Sequence, residues 1–166
     1  SGGSGDFSFT DSRRKDYLHQ VTSRPTFLTF RILKMWVSCI LVGAGKGRRL
    51  KTRTSKAFIN VGGKPLFYYV LKKFLGFTQI KEFILVVRKQ DQKKAKSLVQ
   101  RFFKNANIKV TWGGRERAHS VRNGLRQVDL RADYILVHDI ARPFVKKQDI
   151  KRLLSVTCRY PGCALG

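Results

Sequence analysis

The stretch Val37-Ser-Cys-Ile-Leu-Val-Gly-Ala-Gly-Lys-Gly-Arg-Arg-Leu50 decides the fold. Val37–Val42 is a continuous apolar run ending in glycine, the pattern of a strand buried on both faces of a sheet. In the turn that follows, glycines let the backbone curl close to phosphate oxygens so that amide N–H groups can point at them, while Lys46, Arg48 and Arg49 add positive charge. Gly43–Arg49 therefore reads as a phosphate loop. It is not a Walker loop, because the Gly-x-x-x-x-Gly-Lys-Ser/Thr spacing is absent, and Gly43-Ala44-Gly45-Lys46-Gly47 matches the dinucleotide fingerprint only loosely. A basic turn that binds nothing is the competing reading of this motif alone.

Downstream, strands and helices alternate. Pro65 suits the first turn of a helix in which Leu66, Val70, Leu71 and Phe74 recur at helical spacing until Gly76 ends it. Phe83–Val87 reads as a second buried strand. Between Asp91 and Phe103, Ala95, Leu98, Val99 and Phe102 make one apolar stripe, with Lys93, Lys94, Lys96 and Arg101 facing away. The pattern then predicts a strand at Ile108–Trp112, a helix from about Ala118 with Val121, Leu125 and Val128 inward, a strand at Tyr134–His138, and a helix across Gln148–Val156 with Ile150, Leu153 and Leu154 inward. This alternation predicts an α/β fold, Rossmann-like, with a mainly parallel sheet covered by helices and ligands at the carboxyl ends of the strands. Ala164-Leu165-Gly166 resembles the start of a further strand.

Upstream, Met35 is the only methionine and a natural start for the domain, 35–166. Ser1-Gly2-Gly3-Ser4-Gly5 reads as a linker, and residues 6–34 as an N-terminal extension without a sustained period. A transit peptide is the rival reading, which would make the location a plastid. Asp6, Asp11 and Asp16 argue against it, since such peptides are poor in acids.

With 166 residues the chain is long enough for one hydrophobic core. The net charge of +25 makes polyanions the natural partners: nucleotides, phosphorylated metabolites, nucleic acid or an acidic membrane surface. Cys39, Cys158 and Cys163 are too few and too scattered for a disulfide framework or a paired metal-ligand spacing, so a reducing cytoplasm is expected. No apolar run approaches the ~20 residues needed to span a bilayer, so no membrane partner is expected.

Three further clusters carry chemistry. In Thr54-Ser55-Lys56-Ala57-Phe58, a lysine a few residues beyond a phosphate loop can fold back to neutralise charge on a phosphoryl group, although an isolated lysine is more often a solvated surface residue. In Gly113-Gly114-Arg115-Glu116-Arg117-Ala118-His119-Ser120, the glycines can admit a flat ligand close to the backbone and Ser120 offers a hydroxyl to a base or sugar; helix capping is the plainer alternative. His119 reads as a polar surface residue. In His138-Asp139-Ile140-Ala141-Arg142-Pro143-Phe144, a carboxylate at a strand's carboxyl end can hold Mg²⁺ or a ribose hydroxyl, with nucleotide phosphates supplying other metal ligands. Pairing with Arg142 to shape the turn is the alternative role of Asp139.

In this order and spacing the four clusters resemble the 2-C-methyl-D-erythritol 4-phosphate cytidylyltransferase family, from Val37 to about Gly166. The parts that carry the resemblance are Ala-Gly-x-Gly-x-Arg at Ala44–Arg49, Lys-x-Phe at Lys56–Phe58, Gly-Gly-x-x-Arg-x-x-Ser-Val at Gly113–Val121 and His-Asp-x-Ala-Arg-Pro-Phe at His138–Phe144. The resemblance implies a nucleotidyltransferase-type fold and a reaction in which the phosphate of methylerythritol phosphate attacks the α-phosphate of CTP in line, giving the cytidine diphosphate alcohol and pyrophosphate in non-mevalonate isoprenoid biosynthesis. It implies that Arg49 and Lys56 stabilise the transition state, that Gly45, Lys46, Gly47 and Arg48 hold the triphosphate, and that Gly43, Ala44, Gly114 and Ser120 surround cytosine. Arg117 joins the nucleotide site, Asp139 binds Mg²⁺ or ribose, and Arg142 contacts substrate or a partner. A bacterial cytoplasmic location goes with it.

The chain departs from the family pattern at Gly43 and Ile140, where alanine is usual, at Ala57, where glutamine is usual, and at His119, where an acidic or other polar residue is usual. Gly43 and Ala57 are tolerable in a backbone-lined site, whereas the bulkier Ile140 can crowd the loop holding Asp139. The family's remaining segment carries a further lysine, a second aspartate, most of the acceptor pocket and the arm of the homodimer. The chain as given therefore reads as C-terminally truncated, expected to bind CTP weakly and turn over poorly. Two other readings stay open: a related transferase with another alcohol or sugar phosphate acceptor, and a transferase-like scaffold that binds RNA through its basic surface. Against the last, no aromatic stripe interleaves the basic residues, which are spread over helix faces.

Overall fold

The computed structural model describes residues 34–45, 55–157 and 163–164. Its main sheet has four strands, β1 (Val37–Val42), β4 (Ile80–Val87), β5 (Ile108–Trp112) and β6 (Tyr134–Asp139), arranged β5-β4-β1-β6 with every pairing parallel. Each parallel step needs a crossover, and helices α1 (Leu66–Phe74), α2 (Gln92–Phe102) and α3 (Arg117–Leu125) supply them, with α4 (Lys147–Thr157) following β6. β1 lies between two neighbours and is buried along its whole length, which is why it could afford no polar face beyond Ser38.

The strand period of two divides the core. Val37, Cys39 and Leu41 of β1 join Phe83, Leu85 and Val87 of β4 under the buried stripes of α1, α2 and α4. Ile40 and Val42 join Ile84 and Val86 on the other face, against Val121 and Val128. Phe67, Phe74 and Phe83 are fully buried, and removing each from water is worth roughly 1.5–3 kcal/mol.

Most predicted elements recur within a residue or two, with three physical differences. β4 begins at Ile80 because Glu82, a charge within the apolar run, is itself buried: Ser38 Oγ donates to Oε2 at 2.7 Å, the Asp129 amide donates to the same oxygen at 3.0 Å, and Lys109 pairs with Oε1. Pro65 does not enter the helix; it sits one position earlier, pairing with Asn60 in a hairpin of β2 (Asn60–Val61) and β3 (Lys64–Pro65) whose turn puts Gly62 and Gly63 at φ of 53° and 79°.

The third difference corrects the inward face of α3. Leu125 is exposed, and the buried residues are Ser120 and Gly124. A β-carbon on Gly124 would stand 2.7 Å from Ile40 Cγ2, so the helix comes down on the sheet through a residue without a side chain, and the apolar Leu125 is carried outward. Of the suggested final strand, Ala164 has no regular structure and Leu165 and Gly166 lie outside the described residues, as do the linker and all of the N-terminal extension 6–34 except Lys34. No helix among the described residues is long and apolar enough to cross a membrane.

Candidate functional site

At the carboxyl ends of β1 and β6 lies a cleft of about 1000 Å³ lined by Gly43–Gly45, Lys56, Gly114–Arg117, Ser120 and Asp139–Arg142. Members of all four sequence clusters thus meet in one place. Sheet register is the cause: Val42, the last residue of β1, is paired with Asp139, the last of β6, so both loops leave the sheet side by side. Lys46, Gly47, Arg48 and Arg49 lie outside the described residues.

The β1 loop is fixed by its neighbours. Gly43 N donates to Val86 O at 2.7 Å and Ser55 Oγ donates to Gly43 O at 3.0 Å. Ser55 was not singled out from sequence, where nothing distinguishes it from Thr54; it is buried, and it ties the glycine loop to the segment that presents Lys56. Lys56 begins a 3-10 turn, Lys56–Phe58, whose Ala57 and Phe58 are buried, with the Phe58 ring edge-on to Phe67 at 5.6 Å. That anchorage leaves the half-buried Lys56 on the cleft wall.

The glycine pair after β5 acts differently from expectation. A β-carbon on Gly113 would lie 2.3 Å from Ala44 Cβ and 2.4 Å from Ser120 Oγ, and one on Gly114 2.3 Å from His119 Cβ. The missing side chain of Gly113 admits protein and draws the β1 loop, β5 and α3 together, while Gly114 remains in the lining of the cleft. Gly45 is the contrast: it is exposed, and among the described residues nothing lies within 4 Å of a built β-carbon. Ser120 does not cap α3: it is buried on the cleft wall and its hydroxyl donates to Glu116 O at 3.1 Å, while the cap residue Glu116 makes no side-chain cap. His119 is exposed.

Asp139 pairs with Arg117, not with the Arg142 side chain: Arg117 Nε lies 3.1 Å from Oδ1 and 3.4 Å from Oδ2. Arg142 shapes the turn through its backbone, donating its N–H to Asp139 O at 2.9 Å. His138, left unassigned from sequence, packs on Phe74 with ring centroids 4.9 Å apart and places Nε2 3.0 Å from Arg142 O. Burial of the ring, helped by the Arg142 and Lys73 charges, pushes its pKa down, which favours the neutral imidazole near pH 7.

Ile140 does not crowd this loop. It is fully buried, its N–H donates to Val42 O at 3.0 Å, and its Cδ1 lies 2.7 Å from where a Gly43 β-carbon would stand; Ala57 Cβ lies 3.0 Å from the same point. Three of the departures from the family pattern therefore cluster, since Ile140 and Ala57 both lie against the space that a side chain at Gly43 would fill.

A second groove of about 1160 Å³ runs along β6 and α4 and shares Arg117, Asp139, Ala141 and Arg142 with the first. The Asp139–Arg142 loop is the wall between them. Nothing in the periodicity pointed to this groove, because it depends on β6 being the edge of the sheet.

A parallel sheet of this order, with a glycine-lined polar cleft where its central strand ends, defines a Rossmann-like α/β domain of the nucleotidyltransferase type. The profile of the 2-C-methyl-D-erythritol 4-phosphate cytidylyltransferase family matches residues 37–165, and the chain belongs to that family. It is 36% identical over 129 residues to the cytidylyltransferase of that name from Clostridium botulinum, covering 78% of this chain and 56% of the relative. To the one from Caldanaerobacter subterraneus it is 33% identical over 133 residues, covering 80% and 59%. The crystal structure of 4-diphosphocytidyl-2C-methyl-D-erythritol synthase from Anaerococcus prevotii superimposes with a TM-score of 0.63 at 28% identity, covering 74% of this chain and 51% of that one. The chain spans little more than half the length of the curated relatives it matches.

Proposed function

We propose that this chain is the nucleotide-binding portion of a cytidylyltransferase that joins CTP to 2-C-methyl-D-erythritol 4-phosphate, releasing pyrophosphate. The observation that carries the reading is the convergence of Gly43–Gly45, Lys56, Ser120 and Asp139 on one cleft, in a chain that belongs to the family. In the reaction an acceptor phosphate oxygen attacks the α-phosphorus of CTP and the bond to the pyrophosphate oxygen breaks, so the protein's task is to position anions and offset their charge. The exposed Gly45 suits close approach of phosphate oxygens. Lys56 supplies a cation on the cleft wall, and Arg49 is assigned a matching role by its position in the family motif. Ser120, Gly43 and Ala44 line the same cleft, and a place beside cytosine is assigned to them by their positions in the family motifs.

The described residues contain no cluster of three His, Cys, Asp or Glu side chains able to hold a metal by themselves. Asp139 alone fits a cation that takes its other ligands from phosphate oxygens and water, as Mg²⁺ does at nucleotide sites. Mg²⁺ held there would offset triphosphate charge. Arg117 already holds the Asp139 carboxylate in place from the opposite wall.

Calorimetric titration of the chain with CTP and Mg²⁺ at physiological salt tests the proposal. Saturable CTP binding that ATP does not reproduce supports it. Binding to RNA alone, falling steeply with salt, would overturn it in favour of a basic scaffold.

A further inference from the structure

We infer that Lys73 is a positioning residue for the loop that carries Asp139 and Arg142, an inference that rests on the reading of this cleft as the CTP site. Lys73 lies in the last turn of α1, outside every motif that marks the cleft. It is half-buried, and its ammonium donates to Pro143 O at 2.9 Å and to Val145 O at 2.8 Å. These carbonyls belong to the irregular segment between β6 and α4, where no ladder or helix partner is at hand, and Pro143 has no N–H with which to fasten the chain itself.

The neighbouring carbonyl, that of Arg142, is met by His138 Nε2 at 3.0 Å, and His138 in turn packs on Phe74, the residue next to Lys73. The end of α1 therefore grips three carbonyls of one short loop, two directly through Lys73 and one through the ring that Phe74 supports. On its other side the same loop is tied to β1 by the Ile140 amide on Val42 O. Arg142 stands between these two anchors and Asp139 directly before the first of them, and both residues are shared by the two grooves.

Hydrogen bonds from an ammonium are stronger than those between neutral groups, and a half-buried amine sheltered by its helix gives them up less readily than an exposed one. A loop freed of them has to be ordered by the nucleotide, and that ordering cost is subtracted from affinity. Lys73 therefore acts on the cleft through the backbone, without touching the ligand.

The test compares wild type, Lys73→Met, which keeps the stem and removes the donors, and Lys73→Arg, which keeps donors and charge. Hydrogen exchange on the ligand-free proteins follows the hydrogen-bonded amides of Ile140, Arg142 and Asp149, which flank the gripped carbonyls, and calorimetry measures CTP affinity with Mg²⁺. For Lys73→Met we expect exchange at those amides to accelerate about tenfold with β1 and β4 unchanged, and CTP to bind about tenfold more weakly. Lys73→Arg should recover most of both. Unchanged exchange, or faster exchange with CTP affinity within about twofold of wild type, overturns the role of Lys73 while leaving the CTP site standing. A wild-type chain that binds no CTP overturns the reading of the cleft, and the role with it.

Discussion

Arg117, in the first turn of α3, and Asp139, at the end of β6, face each other across the cleft with Nε 3.1 Å from Oδ1. The pair joins two crossover units that share no other ion pair among the described residues. It also fixes the orientation of the carboxylate at that strand end.

Substituting Asp139→Asn keeps the shape and removes the charge. CTP affinity measured by calorimetry in Mg²⁺ should fall by at least about tenfold, or ~1.4 kcal/mol. In the absence of Mg²⁺ the variant should bind CTP as well as wild type or better, because a carboxylate beside the triphosphate is then only repulsive. An equal loss in both conditions would contradict the assignment of Asp139 to the metal.

Gly43 and Ile140 should behave as one unit. Gly43→Ala drives a β-carbon to within 2.7 Å of Ile140 Cδ1 and should cost about 1–3 kcal/mol of stability. Ile140→Ala leaves a cavity and should cost about 2–5 kcal/mol. In the double variant the new methyl enters the space the isoleucine vacates, so its loss in urea unfolding should be smaller than the sum by at least about 1 kcal/mol. Additive losses would show that the two sites are independent.

Gly124 sets helix propensity against packing. In an exposed helix Gly→Ala gains about 1 kcal/mol, but here the added methyl stands 2.7 Å from Ile40 Cγ2 and 3.2 Å from Val86 Cγ2. Both neighbours lie in the packed core beneath α3, so overpacking of about 1–3 kcal/mol should win. Gly124→Ala is expected to lower the urea midpoint; a raised midpoint would mean that α3 can lift off the sheet without loss.

The same glycine explains what the sequence could and could not show. Strands β1 and β4 were legible because a strand buried on both faces must be apolar throughout, and α1, α2 and α4 because each covers the sheet with a one-sided stripe. α3 makes its contact through Gly124 and the small Ser120, so hydrophobic spacing pointed instead to Leu125. Glu82 hid the start of β4, since a charge in a strand signals exposure unless its partners, forty and more positions away at Ser38 and Asp129, are known. At the cleft, Lys56, Ser120 and Asp139 were readable because their chemistry is carried by side-chain type. Ser55, Lys73 and His138 act by gripping carbonyls, and a carbonyl leaves no mark in a sequence.

Glu82 should make stability depend on acid. Desolvation alone would raise its pKa, but the Lys109 ammonium, the Asp129 amide and the Ser38 hydroxyl outweigh it and hold the value below the ordinary 4.5. A carboxylate with a depressed folded-state pKa contributes fully above 4.5, and that contribution is lost as pH falls through the folded value. Glu82→Gln should cost about 2 kcal/mol at pH 7, less than the roughly 3–5 kcal/mol of a fully buried pair because Lys109 is 43% exposed and screened by solvent. The gap between variant and wild type in chemical denaturation should close below pH 4.5; a gap that stays constant to pH 3 would contradict the assignment.

The register that sets Val42 beside Asp139 has a thermodynamic consequence for any ligand of the cleft. The two residues stand together only when β6 is zipped onto β1, although nearly the whole described chain separates them. A molecule held by both loops therefore has no binding partner in a form with β6 detached. Occupancy at a hundred times Kd, worth about 2.7 kcal/mol, would be distributed over the entire sheet instead of a single loop. The cleft thus acts as a clasp on the closed sheet, and saturating it should slow hydrogen exchange as far away as the buried amides of β4.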